Sequence, residues 1–74
     1  MDEKIINFYF NLFLNQEFDK INNLQKKYNL NLSIVNKDND TIFHYILKNS
    51  NNQSIIKNII KNYPQTINLI KKII

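Results

Sequence analysis

The chain has 74 residues, enough for one small domain with a modest core. Its 43% hydrophobic and 22% charged content is that of a folded protein, and the absence of Cys excludes disulfides and thiolate chemistry. The formal net charge of +4 is uneven: residues 1–40 carry five lysines against six acids, and residues 41–74 carry five lysines and no acid. A basic half of this kind is either a solvated helix face or a surface for nucleic acid or anionic membrane. Gly, Ala, Arg and Trp are also missing, while Asn and Ile dominate. The missing types mostly need GC-rich codons, so the bias points to an AT-rich genome. Lys in place of Arg therefore says little about function.

Residues 3–14 read as a helix that is apolar almost all round, with Asp2 as its N-cap and Asn7 and Asn11 as the polar interruptions. Acids precede this apolar stretch where a signal peptide carries positive charge, and it is too short to span a bilayer. An intracellular, cytoplasmic location is the expectation. Residues 16–28 read as a second helix with Phe18, Ile21, Leu24 and Tyr28 on one stripe. Its acids lie in the first turn and Lys26 and Lys27 in the last, both suited to the helix dipole.

Residues 29–40 read as an extended loop that ends in the polar turn Asn36-Lys37-Asp38-Asn39-Asp40. Residues 41–49 read as a third helix, capped by Asp40 or Thr41, with Ile42, Phe43, Ile46 and Leu47 on one face. Residues 53–62 read as a fourth, with Ile55, Ile56, Ile59 and Ile60 inside and Lys57 and Lys61 outside. Pro64 ends it. Residues 65–74 are open between a loop and a short fifth helix.

The two halves are alike. Phe10 to Leu14 align with Phe43 to Leu47 at a spacing of 33, and Ile21, Leu24 and Tyr28 with Ile56, Ile59 and Tyr63 at 35. The slip falls at Asn51 and Asn52, in a loop. Two helices per unit at this period, together with Asp38-Asn39-Asp40-Thr41-Ile42-Phe43-His44, resemble the ankyrin repeat, whose helix start runs D-x-G-x-T-P-L-H. Thr41 and His44 match that motif, Ile55-Ile56 match the paired Val positions, and Ile59-Ile60 match the paired Leu positions. The match covers residues 36–63. Residues 3–28 resemble an atypical terminal repeat, and terminal repeats are capping units with altered surfaces. The chain departs from the pattern at Asn39 for Gly, Ile42 for Pro, and Ile46 and Leu47 for two Ala.

The resemblance implies an all-α protein of stacked helix-loop-helix pairs, about two repeats, as a single domain or as part of a longer array. It implies binding of a protein partner, without catalysis, cofactor or metal. Partners of ankyrin repeats contact the turn and the first helix, which selects Lys37, Asn39, Asp40 and Tyr45. Tyr45 reads as the most exposed of the four tyrosines. His44 invites a functional reading as ligand or base, but no second His and no Cys complete a metal site. In the ankyrin pattern it is structural, bonding Thr41 and reaching a neighbouring loop. Without Gly no phosphate-cradling loop can form, and no nucleophile–base pair is visible. The alternative is a basic amphipathic surface of Lys57, Lys61, Lys71 and Lys72 engaging nucleic acid or an anionic membrane. Stacked repeats leave an open end, here expected at Ile55, Ile59, Ile70, Ile73 and Ile74, which the next units of a longer array, self-association or a partner would cover.

Overall fold

A computed structural model describes residues 2–66. Over these residues the chain is all-helical: α1 is Glu3–Leu14, α2 Phe18–Tyr28, α3 Ile42–Asn49 and α4 Ser54–Asn62. No helix among them is long and apolar enough to cross a membrane.

α1 begins as its sequence dictates. The Asp2 carboxylate accepts the Lys4 N–H at 2.9 Å, satisfying one of the free donors of the first turn. It ends two residues before α2 was expected to start. The Gln16 N–H donates to the Phe13 carbonyl and the Glu17 N–H to the Leu12 carbonyl, a Schellman closure with Gln16 left-handed at φ 58°. A left-handed residue cannot begin an α-helix, so α2 starts at Phe18 rather than at residue 16. α2 closes on Asn29, also left-handed at φ 54°, which turns Leu30 into the core. The chain has no Gly, and Asn tolerates this region better than most residues.

α4 starts one residue later than read, because Asn52 Oδ1 accepts both the N–H and the hydroxyl of Ser54. Its last helical residue is Asn62. Tyr63 has left the helical region, at φ −133° and ψ 76°, and the ring of Pro64 disfavours that region for the residue before it.

α1 is the hub. Tyr9, Phe10, Leu12 and Phe13 are buried on it, which is why so little of its circumference is polar. α2, α3 and α4 all pack against it. Ile21 of α2, Ile42, Phe43 and Ile46 of α3, and Ile55 and Ile59 of α4 complete the core with Leu30. Four contacts lock α4 and the residue that closes it to the first helix pair. The Tyr63 ring lies 5.9 Å from Phe13 and 6.1 Å from Phe18, its hydroxyl donates to Asn22 Oδ1, and Asn58 donates to Gln16 Oε1.

Three expectations about apolar faces need correction. Leu47 is not on the inner face of α3 but 60% exposed, since α3 buries only the side that meets α1 and α4. Phe8 is 54% exposed, so α1 is not buried all round. Ile55 and Ile59 are buried and form no open end. The remainder of that end, Ile70, Ile73 and Ile74, and the ambiguous segment from residue 67 lie outside the described residues.

Candidate interaction groove

The turn before α3 is built by Asn36. Its side-chain oxygen accepts the N–H of Asp38 at 3.0 Å and of Asp40 at 2.9 Å, and its carbonyl accepts the N–H of Asn39. The Asn36 N–H returns to the Asp40 carbonyl, so the turn is closed at both ends. Asn39 is left-handed at φ 63°, at the position where the ankyrin pattern has its glycine. The turn residues stand out in the sequence as a polar cluster, but nothing there marks Asn36 as the one that organises it.

Thr41 is the N-cap of α3. Its hydroxyl oxygen accepts the His44 N–H at 3.3 Å and lies 3.2 Å from His44 Nδ1. Of the two caps read from sequence, Thr41 makes the bond. Thr41→Ala is expected to lower stability by about 1 kcal/mol, and Thr41→Ser to keep most of it. His44→Ala retains the backbone cap and so costs less than Thr41→Ala. Chemical denaturation of the three variants measures this, and an unchanged Thr41→Ala midpoint would remove the cap from the account.

Asp40 plays a different part. Its carboxylate is buried and takes two hydrogen bonds from Lys48 Nζ, at 2.9 and 2.8 Å. That hydrogen bond is the main reason the Lys48 ammonium is held above the usual lysine range. Expected as an open contact residue, Asp40 is instead occupied within the chain, two residues ahead of α3. Lys37 reaches back to Glu3 at 3.3 Å and ties the turn to the start of α1. Asn39 is exposed at the tip.

Tyr45 is also more committed than its position off the apolar stripe implied. It is half-buried, its ring meets Phe10 edge-on at 5.4 Å, and its hydroxyl donates to Asn11 Oδ1 at 2.8 Å. Phe10 fills the space beside it, and the phenol is held at the wall of a groove rather than projecting into solvent.

That groove, of about 470 Å³, runs between α1 and α3 under the turn. Lys37, Asp40 and Tyr45 line it with Glu3, Asn7, Asn11, Asn36, Asp38, Lys48 and Asn49. Asn39 does not. Asn36, Asp38, Lys48 and Asn49 were not among the expected contacts, nor were Glu3, Asn7 and Asn11, the residues of α1. Their signal was present, since Asn7 and Asn11 stand one turn apart on an otherwise apolar helix and so mark its wet side.

Elsewhere the polar groups serve the fold. The Tyr9 hydroxyl donates to the Asn31 carbonyl at 3.0 Å and accepts from Gln25 Nε2 at 2.9 Å, pinning the long loop to α1 and α2. Burial is the main cause that pushes this phenol up to about 12. Burial also raises Tyr63. Tyr28 is half-buried beside Lys27, whose Nζ lies 5.4 Å from its ring centre. Among the described residues, no group of three His, Cys, Asp or Glu is placed to hold a metal ion. Compared with protein-family models, curated proteins and solved structures, the chain matches none.

Proposed function

We propose that this chain is a non-catalytic interaction module of ankyrin type, and that a polypeptide partner docks in the groove between α1 and α3. The convergence of Lys37, Asp40 and Tyr45 on one groove carries this reading, since the three were selected as partner contacts from the repeat pattern. The left-handed Asn39 and the Thr41 cap support the repeat assignment, because both fill the roles that pattern gives them. The groove's walls are amide-rich. Asn7, Asn11 and Asn49 offer donors and acceptors suited to the backbone of an extended segment. In this reading α1 and α3 are the inner helices of successive repeats and run side by side. Residual dipolar couplings would test that arrangement, which requires α1 and α3 close to parallel.

A second reading rests on Lys26, Lys27, Lys57 and Lys61, all exposed, and without a carboxylate in salt-bridge range among the described residues. They lie on α2 and α4, the helices joined by Tyr63 and Asn22. Lys71 and Lys72 fall outside the described residues. The partner in that case is a nucleic acid or an anionic membrane.

One set of titrations separates the two. Peptides selected from a random library on the chain are expected to bind at least roughly tenfold more weakly to Asn7→Arg, a loss of about 1.4 kcal/mol. Lys57→Glu should bind them normally. Selected peptides indifferent to Asn7→Arg would overturn the groove reading. Tight binding to single-stranded RNA or anionic vesicles, falling steeply with salt and lost in Lys57→Glu, would favour the second.

A further inference from the structure

Three of the chain's six side-chain carboxylates line the groove between α1 and α3, with only two of its ten lysines. On a chain of net charge +4 this one surface is therefore negative. Asp2 and Lys4, the charged sequence neighbours of Glu3, lie outside the lining and offset each other.

The five charges of the groove are not equivalent. Lys48 donates to both oxygens of the buried Asp40, and Lys37 is held by Glu3. Asp38 is left over. It is exposed, and among the described residues its carboxylate has neither a hydrogen bond nor a cation in salt-bridge range. Its backbone is nevertheless held, since its N–H is bound to Asn36 Oδ1 in a turn closed at both ends. The groove thus carries one unpaired negative charge on an ordered support.

The walls leave two further groups open. The Tyr45 hydroxyl donates to Asn11 Oδ1, and the Tyr45 carbonyl accepts from Asn49 Nδ2 at 2.7 Å. Tyr45 thereby sets how both amides are turned. Asn11 is left with its Nδ2 donor and Asn49 with its Oδ1 acceptor, one from each helix. A donor on one wall and an acceptor on the other suit a carbonyl and an N–H of an extended backbone.

We propose that the groove takes a basic polypeptide segment in extended form, with a Lys or Arg side chain on Asp38 and its backbone on Asn11 Nδ2 and Asn49 Oδ1. The proposal rests on the groove reading above and names the charge of its occupant. An acidic segment or a phosphate group meets Asp38 and finds both lysines of the groove already paired. A neutral segment leaves Asp38 without a partner.

Fluorescence anisotropy with the full chain tests this. The probes are labelled peptides selected from a random library on the wild type. They are expected to share a Lys or Arg at one position. Asp38→Asn should weaken them about two- to fivefold, the size of an exposed ion pair, and Asp38→Lys by more. Replacing the shared cation by Ala should weaken binding to the wild type equally and add nothing in Asp38→Asn. Replacing it by Glu should restore binding to Asp38→Lys. The effect of Asp38→Asn should shrink as salt rises. Asn7→Trp fills the groove without adding charge and should remove binding altogether. Circular dichroism establishes that each variant is folded, and Asp38→Ser replaces Asp38→Asn if it is not. Peptides lost on Asn7→Trp that lack a shared cation, or that bind Asp38→Asn as tightly as the wild type, overturn the proposal and leave the groove reading standing. An excess of Asp or Glu in them does the same. Peptides indifferent to Asn7→Trp overturn both.

Discussion

Phe13→Ala is expected to cost about 3–5 kcal/mol, the range for removing a buried phenylalanine. Phe13 is fully buried on the central helix, edge-on to Tyr9 at 5.1 Å and tilted against Tyr63 at 5.9 Å. Its ring thus joins α1 to the residue that closes α4. A chain of 74 residues has a total stability of about 4–11 kcal/mol. The loss is then comparable with the whole, and the variant should be largely unfolded or melt far below the wild type. Phe13→Leu keeps most of the apolar area and should remain folded. Urea denaturation followed by circular dichroism measures both. A Phe13→Ala midpoint close to that of the wild type would mean that α1 is not the hub.

Tyr9→Phe should cost about 1–3 kcal/mol at neutral pH, because the Gln25 amide loses its acceptor and the Asn31 carbonyl its donor. The same hydroxyl makes stability depend on alkaline pH. Burial raises the phenol from 10.0 to about 12 in the folded chain. A raised pKa favours the protonated form in the native state. Its contribution is therefore complete below pH 10 and is lost as pH rises through about 12. A shift of this size amounts to roughly 2–3 kcal/mol. Lysines also titrate in this window, with Lys48 held high by Asp40, so the informative quantity is the difference between wild type and Tyr9→Phe. That difference should shrink between pH 10 and 12. A constant difference would show that Tyr9 does not ionise with the fold.

The sequence by itself determined the local structure. Asp2, Thr41 and Pro64 act on their own neighbours, two through caps and one through a ring that disfavours helix in the residue before it, so they placed the ends of α1, α3 and α4 to within a residue. Asn39 likewise marked a left-handed turn, because few other residues enter that region at low cost. Gln16 is the exception, since nothing in its side chain announces a positive φ. Its conformation goes with the Schellman closure of α1 by its own neighbours and with a bond to Asn58, far away in the chain. The wet side of α1 was legible in Asn7 and Asn11, but which helix would face them was not.

Only the tertiary structure decided the rest. Hydrophobicity and period put Leu47 with Ile46 and left Tyr45 outside, yet Tyr45 is half-buried and Leu47 is exposed. Period gives the angle of a residue on its own helix, whereas burial depends on where the neighbouring helices sit. Phe10 covers one side of Tyr45, while α4 leaves most of Leu47 uncovered, so the larger and more polar side chain is the better buried. Asp40 shows the same limit. A carboxylate in a polar turn reads as solvated, and it became a buried partner of Lys48 because α3 returns that lysine to it eight residues later. The groove arises in the same way, from the distance between α1 and α3, which one helix's sequence does not encode.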